Sequence, residues 1–81
     1  RMAKIEIYVQ DFCPYCAQAV KLFRGRGVAF DEIYAPHGSE ARRAAMERSG
    51  GRTTVPQIFI DGRHIGGCDD LMALDRRGGL E

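Results

Sequence analysis

At 81 residues, 44% of them hydrophobic, the chain is expected to form one globular domain, 1–81, around a single core. No run approaches the roughly 18 apolar residues of a membrane span. Formal net charge is +1, with Lys and Arg scattered, so neither a membrane surface nor nucleic acid is expected as a partner.

Arg1-Met2-Ala3-Lys4 leads directly into a strand, and no secretory leader is read there. Lys4 to Val9 alternates and is β-branched, which predicts a strand with Ile5, Ile7 and Val9 on one face. Gln10-Asp11-Phe12 is a short loop into Cys13-Pro14-Tyr15-Cys16. Pro14 sits where a helix best tolerates proline, just after a capping residue. Tyr15 to Arg24 reads as helix, with Cys16, Ala19, Val20 and Phe23 as its apolar stripe and Gly25 and Gly27 as its stop. Val28 to Tyr34 is a second strand. Ser39 caps a second helix, Glu40 to about Ser49, on which Ala41, Ala45 and Arg48 form a weak stripe.

Thr54 to Ile60 reads as a third strand, and Asp61-Gly62 as the two-residue turn of a hairpin. Arg63 to Gly66 pairs back as a short fourth strand. Cys68-Asp69-Asp70 opens a last helix, with Leu71, Leu74 and Met72 facing inward and Gly78-Gly79 at its end. The order β-α-β-α-β-β-α makes the first two strands parallel through a right-handed crossover, and the hairpin adds an antiparallel pair. A mixed sheet with helices on both faces, an α/β fold, buries every stripe.

Strand, Cys-x-x-Cys, helix is the context in which paired thiols read as redox chemistry. A cysteine in the first helical turn faces unpaired N–H groups and the positive end of the dipole, which favours its thiolate. Cys13, at the cap and more exposed, is the expected nucleophile; Cys16, on the apolar stripe, is the expected resolving thiol. A structural zinc would need two more ligands. Cys68, His37 and His64 qualify by type, yet no second motif has ligand spacing. Three cysteines cannot close a disulfide framework, and a reducing, cytoplasmic setting is expected.

Thr54-Val55-Pro56 admits two readings: a cis peptide that turns the Val55 backbone out toward an extended thiol ligand, or a proline opening an edge strand. Gly66-Gly67-Cys68-Asp69-Asp70 also admits two: a carboxylate-binding helix start with an Asp for an ammonium, or mere cap residues. Cys68 is read as a small turn residue, with a third redox thiol as the alternative. His37 and His64 are read as surface residues without evident partners. Tyr15, an exposed aromatic at a helix start, is placed to pack beside a bound thiol.

The Cys-Pro-Tyr-Cys motif, Thr54-Val55-Pro56-Gln57-Ile58-Phe59-Ile60 and Ile65-Gly66-Gly67-Cys68-Asp69-Asp70-Leu71 together resemble the glutaredoxins, in particular their small bacterial dithiol type. The resemblance runs from Ala3 to Leu80. It implies a thioredoxin fold, with a four-stranded mixed sheet, and glutathione-dependent reduction of disulfides and glutathionylated proteins by a monomer. Cys13 would carry glutathione and Cys16 would resolve. The implied glutathione groove comprises Tyr15, Thr54, Val55 and a cis Pro56, with Cys68, Asp69 and Asp70 at the helix start. Arg43 is similar to a family position that reaches the glycine carboxylate. Relatives that hold an iron–sulfur cluster usually carry a smaller or more flexible residue where Pro14 stands, so no metal is expected. Many relatives have a lysine three residues before the first cysteine; here that position is Gln10, which predicts weaker electrostatic support for the Cys13 thiolate.

Overall fold

A computed structural model describes residues 3–80; Arg1, Met2 and Glu81, the ends of the expected 1–81 domain, lie outside the described residues. Seven elements follow the expected order: β1 (Ile5–Val9), α1 (Pro14–Gly25), β2 (Asp31–Tyr34), α2 (Glu40–Arg48), β3 (Gln57–Ile60), β4 (Arg63–Gly66) and α3 (Cys68–Arg76). The strands form one sheet in the order β2-β1-β3-β4, parallel between β1 and β2 and antiparallel elsewhere. This is the thioredoxin fold.

Alternation along β1 divides the core in two. Ile5, Ile7 and Val9 point to the face covered by α1 and α3, where they meet Cys16, Ala19, Val20, Phe23, Ile58 and Leu71. Tyr8 points to the other face and packs with Phe59, Ala35 and Ala45 beneath α2. Each fully buried Ile, Leu or Phe stabilises the fold by about 1.5–3 kcal/mol. The α1 stripe is buried as its spacing predicts.

Two strands start later than the sequence suggests. Residues 28–30 approach the sheet as a loop, and pairing with β1 begins only at Asp31. Val28 and Phe30 still pack against the core, Phe30 with its ring centroid 5.4 Å from that of Phe23. β3 starts at Gln57, because Pro56 has no N–H for the ladder and follows a cis peptide bond. On α2 the buried pair is Arg42 and Ala45. Arg48 instead lies across the rings of Phe59 and Tyr8, at 4.0 and 5.8 Å, and pairs with Glu6 at 3.0 Å.

The hairpin turn places both Asp61 and Gly62 at positive φ, 51° and 79°, the type I′ geometry that matches strand twist. Between Ile58 and Phe59 the β3–β4 register slips, which leaves Ile65 as an extra residue on β4. The strand then delivers Gly66 and Gly67 to the start of α3, beside the start of α1.

Candidate active site

Cys13 is the N-cap residue of α1, with Pro14 in the first helical turn. Its Sγ accepts from the Cys16 N–H at 3.2 Å. Cys13 and Cys16 are joined as a disulfide, with Cα atoms 5.2 Å apart. Cys16 is buried on the stripe while Cys13 is partly exposed, the asymmetry expected of attacking and resolving sulfurs. The Val55 carbonyl oxygen lies 3.8 Å from the Cys13 Sγ. Val55 precedes the β3 ladder, and the bond after it is cis.

On this side of Cys13 a groove of about 360 Å³ runs between the cis-proline loop and the start of α3. Tyr15, Thr54, Val55 and Pro56 line one part of it; Cys68, Asp69 and Asp70 line the other. These seven come from three separate sequence motifs, and the fold gathers them. Arg52 and Gly67 complete the groove. At its far end Gly67 caps α3 without a side chain, and the Asp70 Oδ2 accepts from the Gly67 N–H at 3.0 Å. The first N–H groups of α3 have no intrahelical acceptor, so they present donors to a ligand oxygen. Gly66 has φ +123°, and a Cβ there would run into the Asp70 carboxylate. Asp70 is thus occupied by its own turn, with Arg52 at 3.9 Å, whereas Asp69 is exposed.

Cys68 is buried below this groove, its Sγ 3.7 Å from the Gln18 Oε1. Burial, and then the Asp69 charge, push its thiol pKa up, which keeps it protonated. Such a thiol packs rather than attacks.

Arg43 stands apart from the groove and lines a separate pocket with His37, Ser39 and Met46. Its neighbour Arg42 turns inward. Arg42 is 6% exposed, and its guanidinium donates to the Gln10 Oε1 (2.6 Å), the Ala35 carbonyl (2.9 Å) and the Thr53 carbonyl (2.9 Å). Gln10 therefore does not stand without a cation: a buried arginine reaches it from behind and also holds the segment that enters Thr54. Arg42 shares a helical stripe with Ala45, three residues on, and that spacing was the available signal.

His64 is exposed, as expected of a surface residue, but contrary to expectation it has a partner. Its Nε2 lies 2.6 Å from the Oε1 of the fully buried Gln57, whose Nε2 donates to the Thr54 carbonyl at 3.0 Å. Burial and the nearby Arg52 charge lower the His64 pKa, opposed by Asp70. This chain of contacts braces the cis-proline loop from below.

On the opposite side of Cys13 lies a larger open groove of about 890 Å³, lined by both cysteines, one face of α1, and Glu32 and Tyr34 of β2. At its mouth Phe12 is fully exposed with φ 57°. The Tyr34 hydroxyl donates to the Asp11 Oδ2 at 3.0 Å, and that hydrogen bond raises the phenol pKa. Among the described residues no group of three or more His, Cys, Asp or Glu is arranged to hold a metal ion.

A family model described as Glutaredoxin matches residues 5–65. The chain is 56% identical over 80 residues to glutaredoxin 3 of Escherichia coli K12, covering 99% of this chain and 95% of that protein. It is 49% identical over 80 residues to a glutaredoxin of Pseudomonas aeruginosa, covering 99% and 94%. The solution structure of a glutaredoxin from Brucella melitensis superposes with a TM-score of 0.82 at 49% identity, over 98% of this chain and 85% of that one. The crystal structure of a buckwheat glutaredoxin–glutathione complex superposes with a TM-score of 0.82 at 34% identity, over 94% and 71%.

Proposed function

The chain belongs to the glutaredoxin family, and on that premise we propose how its residues divide the work. It is a glutathione-dependent thiol–disulfide oxidoreductase that reduces protein disulfides and glutathione mixed disulfides through Cys13 and Cys16. The observation that carries the assignment of roles is the pair itself: one sulfur capping α1 at the surface, the other buried three residues on.

The Cys13 thiolate attacks one sulfur of a substrate disulfide. A Cys13–substrate bond forms, the substrate bond breaks, and the departing thiolate takes a proton from water. Cys16 then attacks the Cys13 sulfur, which frees the second substrate thiol and leaves the Cys13–Cys16 disulfide. One glutathione thiolate attacks Cys13 and restores the Cys16 thiol. A second attacks the bound glutathione, giving glutathione disulfide and the Cys13 thiolate. Two glutathiones supply the two electrons for each disulfide reduced. With a glutathione mixed disulfide the Cys16 step is not needed.

The attacking thiolate forms at the α1 N-terminus, where the Cys16 N–H lies 3.2 Å from the Cys13 Sγ of the disulfide, and the helix end stabilises it. Bound glutathione lies in the groove between Tyr15 and α3. The Val55 backbone pairs with its cysteinyl unit, with Thr54 and Pro56 fixing that loop. The α3 start at Gly67 and Cys68 takes the γ-glutamyl carboxylate, and the exposed Asp69 accepts from the ammonium. Asp70 holds the turn. Arg42, through Gln10 and Thr53, sets a positive charge behind the position of the absent lysine. Both cysteines and every groove residue come from one chain, which supports a monomer. The chain's cysteine usage supports the cytoplasm, with disulfide-bonded or glutathionylated proteins as partners; no helix among the described residues is long and apolar enough to cross a membrane.

The test is a pair of variants assayed with glutathione, glutathione reductase and NADPH. Cys13→Ser abolishes reduction of a glutathione mixed disulfide, while Cys16→Ser retains most of it and loses protein-disulfide reduction. Equal loss in the two variants would overturn the division of roles.

A further inference from the structure

The larger groove exists because of where β2 sits. β2 is an edge strand, and its register places Glu32 beside Ile7 and Tyr34 beside Val9, on the face that α1 covers. Ile7 and Val9 are buried under α1, but the edge strand offers a carboxylate and a phenol there instead of aliphatic groups. The helix consequently does not close over the edge. What remains is a channel with Pro14, Ala17, Lys21 and Arg24 on its helix wall, spaced to share one face. The channel begins at Cys13.

Phe12 stands at that beginning, next to the nucleophile. It is fully exposed and holds a positive φ of 57°, a conformation that bulky residues rarely adopt. Folding gains nothing from an aromatic ring left wholly in water, and an exposed aromatic beside a reactive group has the character of a binding anchor. Further along, neither Lys21 nor Arg24 has a carboxylate within ion-pair distance among the described residues, while Asp11 is engaged by Tyr34.

We propose that this channel docks the polypeptide flanking the reactive cysteine of a protein disulfide, with an apolar side chain beside that cysteine packed on Phe12 and an acidic residue farther along paired with Lys21 and Arg24. The proposal rests on the oxidoreductase reading and adds its protein-substrate preference. Distances along the channel set the spacing. Lys21 is eight residues into the helix from Cys13, about 12 Å at 1.5 Å per residue. An extended chain covers that in about four residues at roughly 3.3 Å each. The preferred substrate thus carries an apolar neighbour to its cysteine and an acidic residue about four positions away. Docking precedes chemistry and leaves the sulfur steps unchanged.

The probe is a disulfide-linked dimer of a palindromic peptide, with Leu on both sides of its cysteine and Asp four positions away in each direction. A second dimer carries Ser and Asn at those places. The mixed disulfide of glutathione and β-mercaptoethanol, whose mercaptoethanol arm is too short to reach Lys21 or Arg24 along the channel, is the reference substrate. The protein is expected to favour the Leu/Asp dimer in kcat/KM by about tenfold. Phe12→Ser removes most of that preference. Lys21→Glu with Arg24→Glu removes the Asp share, about two- to fivefold, together with its salt dependence, and turns the preference toward a Lys-bearing dimer. All variants reduce the small mixed disulfide at the unmodified rate. Equal treatment of the two dimers by the unmodified protein overturns the proposal, as does a loss in Phe12→Ser that is the same for the small substrate. Failure of the unmodified protein on the small mixed disulfide would overturn the oxidoreductase reading itself, and the docking with it.

Discussion

The two grooves that flank Cys13 are built from different material. The smaller is made of backbone: a cis-proline loop that leaves Val55 outside the ladder, and a helix start capped by a residue without a side chain. The larger is made of side chains, with Phe12 and Tyr34 standing in solvent and Lys21 and Arg24 along a helix face. Backbone donors held by secondary structure cannot adapt, which suits a ligand of fixed covalent structure such as glutathione. Exposed aromatic and long basic side chains adapt at small cost, which suits polypeptides of varied sequence. Three variants separate the grooves: one undermines both, one the backbone groove alone, and one only a contact at the mouth of the other.

The largest effect is expected from Arg42→Met. The guanidinium joins Gln10, which lines the open groove, to Thr53, which leads into the backbone groove, and it also ties down Ala35. Methionine fills similar space but leaves buried carbonyl oxygens without donors, at about 1–3 kcal/mol each. A stability loss of about 2–4 kcal/mol follows, roughly 10 °C or more in Tm for a chain of this size. KM for a glutathione mixed disulfide rises as well. Thermal unfolding by circular dichroism, with KM at a permissive temperature, checks both; a Tm change within a degree or two would show that the arginine does not brace these loops.

Next in size is Gly66→Ala. The new Cβ meets the Asp70 carboxylate, and φ +123° is a backbone setting that alanine resists. Asp70 must let go of the Gly67 N–H, and the α3 start turns away from the groove. The cost is about 1–3 kcal/mol from strain and the lost cap. Glutathione-dependent turnover should fall chiefly through KM, while the ratio of rates on the two peptide dimers stays unchanged. A changed ratio would mean that the grooves are not independent.

The backbone groove was the legible one. Gly66-Gly67-Cys68 ahead of two acidic residues, and a proline at a strand start, are local signals, because turn and cap chemistry acts over a few residues, and each is open to a second reading until the family resemblance joins them. The strands, the α1 stripe and the cysteine asymmetry were legible for the same reason. The open groove was not, because it depends on β2 being an edge strand whose Glu32 and Tyr34 face α1, and that is a matter of sheet order and register. Arg42 was not legible because arginine on a short polar helix reads as solvated, although its spacing to Ala45 points inward. His64 escaped because its partner Gln57 lies seven residues back across the hairpin. β2 began at Asp31 rather than Val28 because apolar residues in a loop can fill a core edge without joining the ladder.

The smallest effect concerns Tyr34 and Asp11, at the mouth of the open groove. The Tyr34 hydroxyl donates to the Asp11 carboxylate, and removing the phenolic proton would set two negative charges side by side. The hydrogen bond first, and the charge second, raise the Tyr34 pKa above the ordinary value of 10.0. Because the folded value is the higher one, the contact's stabilisation is fully present below the ordinary tyrosine range and is lost as pH rises through the folded value. Both groups are bathed in water, so the effect on overall stability is slight and fades with salt. It is best read at the residue itself, by NMR titration of carbon-labelled tyrosine rings. Asp11→Asn should bring the Tyr34 titration down toward the ordinary range without altering turnover of the small mixed disulfide, since neither residue lines the smaller groove. If the titration does not move, the two side chains do not meet in solution, and this mouth of the groove is more open than 3.0 Å between their oxygens implies.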